Sequence, residues 1–363
     1  MPSTLPIICL QVGIKNAHNV QFSNLIIKGM GKQDCLVHIR DQSSVRMTSC
    51  SVKVGEKEKV KMKDASVIAA VKVAGDGPSI LSSSFLGAKS CTFQSCSGSG
   101  LVVLEGGQTA LEDCVSSNSK LNGWVVQGEG SRMEARGSKA DRNQHANVNV
   151  GAGAFAVFST CSMGSSSSSV GLAVRGKCST ATAKACSISS NQDGNVWVKE
   201  GASLTLEVCE CNNSKKCGWV VQGEGSRVEA RGSKAERNQC ANVYMDAGAS
   251  AVFSSCSMGF SSSNVGLAVT GNGSTATATA CTISSNQKNN VQVTEGATAT
   301  LNNCESNGSK KNCGWLVSGE DSCLVASSST AVSNAAANAV TLKGGKVVCL
   351  SNCDLGSKDV VNR

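Results

Sequence analysis

The chain is poor in the side chains that fill the centre of a compact globule. Aromatic residues make up 3% of its 363 positions, and proline and histidine occur three times each. A globular core draws much of its volume from aromatic side chains, so this composition favours a narrow core of small and β-branched residues. The shortage of histidine also disfavours a catalytic cysteine, because no Cys–His motif supplies a base.

Long apolar runs and dense charge of one sign are also missing. No stretch approaches the roughly 18 consecutive apolar residues of a membrane-spanning helix, and the first residues lack the pattern of a secretory signal. The net charge of +8 is mild and includes no dense basic stripe of the kind that binds nucleic acid. We therefore expect an intracellular, most simply cytoplasmic, protein without membrane insertion or a nucleic-acid partner.

The chain instead contains a near-perfect internal duplication. The segment GWVVQGEGSRMEARGSKADRNQ at 123–144 returns at 218–239 with two conservative differences. Repetition at a fixed spacing indicates a stack of structural units, so we predict a duplicated four-coil unit over 123–217 and 218–313. Within each copy the alternating charged residues are predicted to face outward from a strand. They are Arg132, Glu134 and Arg136 in the first copy, and Arg227, Glu229 and Arg231 in the second.

A shorter period of 23 or 24 residues runs through both copies. Each repeat has an apolar-x-apolar segment followed by glycine, as at Leu101 and Val103. Period-two alternation is typical of a strand, and Trp124, Trp219 and Trp315 fall on its inward positions. Short strands that bury little alone but form a core by stacking make a solenoid. We predict an all-β, single-stranded right-handed parallel β-helix of about thirteen coils with two to three short strands each.

The prediction assigns the whole chain, 1–363, to a single domain with four parts. These are an opening or capping coil at 1–34, irregular coils at 35–99 with a charged loop at 52–64, regular coils at 100–348, and a carboxy-terminal cap or tail at 349–363.

Two residue columns recur at fixed positions and support the solenoid. An asparagine precedes each second repeat by four residues, at Asn143, Asn191, Asn238, Asn286 and Asn334. Asparagine tolerates the left-handed backbone of a tight corner, and its stacked amides can hydrogen-bond along the column. A cysteine follows each strand pair, at Cys161, Cys186, Cys209, Cys256, Cys281 and Cys304. These cysteines run in odd-numbered groups, so we predict buried free thiols rather than disulfides.

Metal binding is the alternative for the cysteines. The pairs are Cys209 with Cys211 and Cys217 with Cys240, and neither belongs to a paired CxxC of the zinc-binding type. We therefore predict no metal and no cofactor.

The repeats resemble a known superfamily. The carrying motifs are NVWVKEG at 195–201, NVQVTEG at 290–296 and GLAVTG at 266–271, together with the asparagine column. With these motifs the chain resembles the right-handed parallel β-helix superfamily, the pectate-lyase-like fold with carbohydrate-binding and sugar-hydrolase repeats. The resemblance implies the fold but not one function, because the superfamily includes lyases, hydrolases, phage spikes and non-catalytic scaffolds.

The catalytic motifs of the hydrolases in that superfamily are absent. The nearest arrangement to a lyase site is Arg175, Lys199, Glu200 and Asp246, which bring two bases and two acids to one edge of consecutive coils. The alternative is a solvated edge of mixed charge. Calcium enters only with the lyase alternative, because a calcium site normally needs several carboxylates.

An outward column of the same coils carries apolar residues. Trp197, Val220 and Tyr244 occupy the central outward position, which places the two aromatic rings two coils apart. An exposed apolar stripe often marks an interface, although a covering segment would also explain it. We predict a non-catalytic scaffold or binding module for a glycan or protein partner. The alternative is a polysaccharide lyase or glycoside hydrolase with an atypical active site.

Overall fold

The computed structural model describes residues 7–8, 12–30, 35–55, 69–75, 83–95, 97–356 and 360–362. The backbone contacts divide the chain into two compact units, Met1–Ser187 and Ile188–Arg363, and each is described by itself. The single domain over 1–363 stays a prediction.

The first unit consists of strands on three faces, visited in the same order in each turn. The first face comprises Val12–Lys15, Cys35–Arg40, Ala69–Ala74, Ser99–Leu104, Trp124–Gln127, Val148–Gly151 and Val170–Arg175. The second face comprises Val20–Ser23, Ser44–Thr48, Phe85–Lys89, Gln108–Glu112, Arg132–Arg136, Phe155–Ser159 and Thr180–Lys184. The third face comprises Ile7–Ile8, Ile26–Met30, Ser51–Gly55, Thr92–Ser95, Val115–Ser117 and Lys139–Asp141.

The second unit repeats the first two faces and reduces the third. Its first face comprises Gly194–Lys199, Cys217–Gln222, Val243–Asp246, Leu267–Val269, Val291–Thr294, Cys313–Ser318, Ala337–Leu342 and Val360–Asn362. Its second face comprises Ser203–Glu207, Arg227–Arg231, Ser250–Ser254, Thr275–Thr279, Thr298–Asn302, Cys323–Ser327 and Lys346–Ser351. Its third side is joined by single bridges, such as Glu210 with Lys234 and Lys234 with Ser257.

The strand pairing confirms the predicted fold class. Each strand pairs in parallel with the strand one turn away, for example Trp124 with Val148 and Trp219 with Val243. The chain is an all-β parallel solenoid of about thirteen turns, and its described elements include no helix. In particular, the described residues hold no helix of the length and apolarity that a membrane crossing requires.

Two predicted boundaries differ from the structure. The sequence predicts a charged loop at 52–64, but Ser51–Gly55 is a strand paired with Ile26–Met30, and 56–64 lie outside the described residues. Val52 and Val54 are buried, so alternation continues into the start of the charged run. The tail predicted at 349–363 contains the end of Lys346–Ser351 and a strand, Val360–Asn362, that pairs with Ala339–Thr341.

The core is narrow, and the predicted inward residues fill it. Trp124, Trp219 and Trp315 are completely buried. Trp124 stacks on Phe158 with ring centroids 6.3 Å apart, and Trp219 stacks on Phe253 at 5.9 Å. The same aromatic pair therefore forms in both copies of the duplicated unit, each supplying the large buried area that the rest of the composition lacks.

The asparagine column is a buried hydrogen-bond ladder. In the second unit, Asn238 Oδ1 accepts the backbone N–H of Ser214 at 2.9 Å, and Asn238 Nδ2 donates to Asn242 Oδ1 at 3.0 Å. The left-handed residue of the corner is the neighbour before the asparagine, as at Arg237 with φ of 54°. The column therefore satisfies buried backbone groups, and the left-handed corner predicted for asparagine belongs to the preceding residue. The same preceding position is left-handed before Asn143, Asn191, Asn286 and Asn334.

Candidate functional site

The predicted aromatic column lies on the outside of the first face in the second unit. Trp197 pairs with Val220, and Val220 pairs with Tyr244, so all three share one register position on consecutive strands. Each side chain is half-buried. At about 4.8 Å per strand, the two aromatic residues are about 10 Å apart.

Neighbouring side chains partly cover both rings. The Lys199 ammonium lies over the Trp197 ring, 4.1 Å from its centroid. The Tyr244 hydroxyl donates to Asp246 Oδ2 at 3.1 Å, and Tyr244 packs beside Cys217 and Ala268. Burial, followed by the charge of Asp246, raises the pKa of Tyr244 to about 12. A ligand that stacks on Trp197 must therefore displace the lysine.

In the second unit, the acid–base candidates are held by separate partners. Lys199 and Asp246 occupy the same register position on two strands of the second unit. Gln222 occupies that position on the strand between them. Lys199 is engaged by Trp197, and Asp246 accepts from Tyr244 and from the backbone N–H of Ala247. Glu200 occupies a left-handed corner with φ of 60°. Arg175 ends a strand of the first unit and is exposed.

The cysteine ladder is buried in each unit. None of its six residues is more than 2% exposed: Cys161, Cys186, Cys209, Cys256, Cys281 and Cys304. In the second unit, the N–H of Cys256 donates to Cys281 Sγ at 3.4 Å, and Cys256 Sγ donates to the carbonyl of Ala230 at 3.3 Å. Across the described ranges, no three His, Cys, Asp or Glu side chains gather as metal ligands.

The second face of the first unit carries a groove that the sequence pattern does not predict. It has a volume of about 680 Å³ and crosses five consecutive strands, from Ser44–Thr48 to Phe155–Ser159. Its central column reads Arg46, Gly87, Ala110, Glu134 and Val157 in paired register. The groove forms because Gly87 and Ala110 present almost no side chain between the longer residues on either side.

The charges along the groove leave two guanidinium groups unpaired. Lys89 Nζ pairs with Glu112 Oε1 at 3.0 Å, and Arg132 pairs with Glu134. Arg46 and Arg136 are exposed and have no ion-pair partner among the described residues. An unpaired arginine presents a planar fork of donors that matches a carboxylate or sulfate. The groove is therefore suited to an anionic ligand.

An aromatic residue stands at the edge of the same groove. Phe85 is 37% exposed, the largest exposure of any aromatic residue on this face of the described first unit. Its ring approaches the position where a Cβ would lie on Gly87, with Cε1 at 3.3 Å. The groove thus combines an apolar ring, a floor of backbone and Cβ atoms, and two guanidinium groups.

The residues that form the groove can be identified in the sequence as outward strand positions, but the sequence does not show which of them lie side by side. The outward residues of SVRMT at 44–48 and FLGAK at 85–89 give Arg46 and Gly87 at the same register position. These strands precede the regular period that begins near Gly100, and irregular spacing separates them. Without the strand pairing, Gly87 could not be placed beside Ala110.

Comparisons with known proteins agree on the fold. The family model described as right handed beta helix region matches residues 170–330. Tailspike protein 3 of bacteriophage CBA120 has a TM-score of 0.53 at 9% identity, covering 90% of this chain and 56% of the tailspike chain. The periplasmic alginate epimerase AlgG has a TM-score of 0.49 at 9% identity, covering 94% of this chain and 78% of its own. The A-module of the Azotobacter vinelandii mannuronan C-5 epimerase AlgE6 has a TM-score of 0.44 at 10% identity, covering 96% and 91%.

The family-model match and the tailspike structure confirm the predicted resemblance to the right-handed parallel β-helix superfamily. At such low identity the likeness concerns the fold alone, because unrelated functions share this architecture. A search of curated proteins finds no significant match.

Proposed function

We propose that the protein is a non-catalytic binding module that holds an acidic glycan in the groove of its first unit. The observation that carries this proposal is the open floor at Gly87 and Ala110 between two exposed guanidinium groups, Arg46 and Arg136. Guanidinium–carboxylate and guanidinium–sulfate pairs are strong because they are bidentate and charge-assisted.

The spacing of the groove suits an extended ligand. Arg46 and Glu134 lie three strand spacings apart, about 14 Å along the central column. The floor between them consists of strand backbone and two small residues. The Phe85 ring offers an apolar face at one edge, where the carbon-bound hydrogens of a sugar ring can pack. A polymer with repeated acidic groups meets both the charges and the apolar ring.

The ion pairs favour binding over catalysis. A glycosidase uses two carboxyl groups as acid and base or nucleophile. In the groove, the carboxylate of Glu112 is held by Lys89 and that of Glu134 by Arg132. Each carboxylate is exposed in the groove but already pairs with a neighbouring cation, which favours charge balance over acid–base chemistry.

The test uses the duplication as its own control. Wild type, Arg136→Ala and Arg231→Ala are titrated with polyuronates and sulfated glycans. Each lost charge-assisted contact contributes about 1.5–3 kcal/mol, so we expect Arg136→Ala to weaken binding roughly 10- to 100-fold. Arg231→Ala, the same residue in the second copy, should bind as wild type does. Equal losses in both variants, or no binding of any acidic glycan, would overturn the proposal.

Two further measurements separate the alternatives. A polyglutamate peptide that binds with the same dependence on Arg136, while glycans do not, would replace the glycan with an acidic protein segment. Appearance of unsaturated or shortened sugars from polyuronates, with or without calcium, would favour the lyase or hydrolase alternative. The face of Trp197, Val220 and Tyr244 is the second proposed surface, and Trp197→Ala tests it in the same titrations.

A further inference from the structure

Cys217 and Cys240 form a pair of thiols on adjacent turns of the second unit. The N–H of Cys240 donates to the carbonyl of Lys216 at 3.0 Å, which holds the two cysteines on neighbouring turns. Trp219 pairs with Val243, so Cys240 lies one residue from the position opposite Cys217. A strand spacing of about 4.8 Å and a rise of about 3.3 Å place their Cα atoms about 6 Å apart. This separation is the commonest one in disulfides.

This pair differs from the buried ladder in accessibility. Cys217 and Cys240 are both half-buried, whereas Cys256 and Cys281 are 2% and 1% exposed. Thiol–disulfide exchange requires a reagent to approach the sulfur in line, so access decides which cysteines react. The ladder is protected by the core, and the surface pair is not.

Charge and burial act in opposite directions on Cys217. The Lys216 ammonium favours the ionised form of the Cys217 thiol. Burial, followed by the charge of Cys240, raises the pKa of Cys217 to about 11. Cys217 therefore remains a protonated donor at neutral pH, close to the sulfur with which it would bond.

We propose that Cys217 and Cys240 are a modification site that forms a reversible disulfide by exchange with a low-molecular-weight disulfide such as oxidised glutathione. One protein thiolate attacks a sulfur of the small disulfide, forms a mixed disulfide and expels a small thiolate. The second protein thiol loses its proton and attacks the mixed disulfide, expelling the second small thiolate. Two protein thiols are oxidised, one small disulfide is reduced, and the two protons pass to the departing thiolates.

The bond would tie two turns together beside the aromatic column. Cys217 packs with Tyr244 against Ala241, Val265 and Ala268, so the disulfide would fix the edge on which Tyr244 rests. The residues 95 positions earlier are Asn122 and His145. The thiol pair is therefore not repeated at the earlier position.

The experiment maps the disulfides of the full native chain. The protein is equilibrated with mixtures of reduced and oxidised glutathione, blocked with a maleimide and digested with trypsin. We expect the peptide 217–227 to be linked to the peptide 238–288, with loss of two hydrogens, and the melting temperature to rise. In Cys240→Ser and Cys240→His, Cys217 should instead carry glutathione, and oxidation should leave the melting temperature unchanged.

Cys178 serves as the control for reagent access, because it is exposed. The proposal fails if Cys178 becomes glutathionylated while peptides 217–227 and 238–288 stay unlinked. It also fails if the link persists in Cys240→Ser, since Cys256 or Cys281 would then be the partner. Neither result depends on glycan binding, so this test is independent of the proposed function.

Discussion

Two strands of nearly identical sequence, Arg132–Arg136 and Arg227–Arg231, occupy the second faces of the two units. Both alternate exposed charged residues with buried apolar ones. Both belong to turns whose tryptophan stacks on a phenylalanine of the next turn. In the first copy, the Arg132 guanidinium lies 4.8 Å from the Phe155 ring centroid. In the second copy, the residue opposite Arg227 on the neighbouring strand is Ser250, which has no ring. The copies thus share a core and differ in the residues beside their outer charges.

The difference lies in the neighbouring strands. Glu134 is beside Ala110, and the next strand contributes Gly87, which opens the groove. Glu229 is beside Thr205, whose longer side chain occupies the corresponding outer position. In a parallel solenoid, a surface site spans several turns, so the sequence of one strand does not determine it. Duplication of a coil copies its core contacts faithfully but leaves its surface contacts to the adjoining coils.

The largest expected effect concerns the shared core. Trp124→Ala and Trp219→Ala should each lower the free energy of unfolding by about 3–5 kcal/mol, because each leaves a cavity beside a stacked phenylalanine. The losses should agree to within about 1 kcal/mol, since such costs vary mainly with how well a site collapses. Urea unfolding followed by circular dichroism measures both. Trp197→Ala is the control, and a loss as large for this half-buried outer residue would contradict the division into core and surface.

A smaller effect is expected where the two asparagine ladders differ. Asn238 Oδ1 accepts from Ser214 and also from Asn195 Nδ2 at 3.1 Å. Asn143 Oδ1 accepts from Ser119, but the residue 95 positions before Asn195 is Gly100, which has no amide to donate. Each buried donor left without an acceptor costs about 1–3 kcal/mol. Asn238→Ala should therefore destabilise the protein by about 1 kcal/mol more than Asn143→Ala in urea unfolding.

Equal losses for the two asparagine variants would mean that the extra amide contact contributes nothing. Asn238→Asp is a useful control, because it keeps the acceptor for Ser214 and removes the donor to Asn242. Because it places a carboxylate at a fully buried site facing Asn242 Oδ1, it should destabilise the protein at least as much as Asn238→Ala near neutral pH.

The parts of the molecule that follow from periodicity could be predicted from the sequence. Alternation placed Trp124 and Trp219 inside and Arg132 and Arg227 outside, because a two-residue period fixes the face of every side chain. The groove could not be predicted, because it depends on the register between Ser44–Thr48 and Phe85–Lys89, where the period is irregular. The contact of Lys199 with Trp197 could not be predicted either, because alternation specifies the face of a side chain but not the rotamer of a long one.

The single tyrosine of the chain provides a pH measurement that reports the second copy alone. Tyr244 and Asp246 correspond to Asn149 and Gly151 in the first copy. The ultraviolet absorbance of tyrosinate should rise with a midpoint near the raised pKa of Tyr244, about 12. In the denatured chain it should rise at about 10. Asp246→Asn should lower the midpoint of the folded protein without returning it to 10, because burial is the larger cause.

The sign of the accompanying stability change follows from the same shift. The pKa is higher in the folded state, so the unfolded chain ionises first as pH rises. Stability should therefore be intact below about pH 10 and decrease as the pH approaches the folded pKa of about 12. Circular dichroism at each pH verifies that the chain is folded. A midpoint near 10 in a folded protein would show that neither burial nor Asp246 restrains the phenol.

The smallest effect on stability is expected from giving the strands that precede the first copy the outer residues of the strands that precede the second copy. Positions 87 and 110 are glycine and alanine, whereas the residues 95 positions later, Thr182 and Thr205, are threonine. A Cβ on Gly87 meets only Phe85 and Arg46 side-chain atoms, the nearest at 3.3 Å, so the double variant Gly87→Thr/Ala110→Thr should fold. Threonine suits a strand better than glycine, so stability should change by no more than about 1 kcal/mol.

Binding of acidic glycans to the double variant should nevertheless fall at least as far as in Arg136→Ala, because the new side chains fill the floor of the groove. Thr205→Ala, on the strand that pairs with Glu229 of the second copy, should produce no new binding, because this change adds no guanidinium group. If the filled variant binds as tightly as wild type, the ligand does not lie on Gly87 and Ala110, and the difference between the two surfaces has no role in recognition.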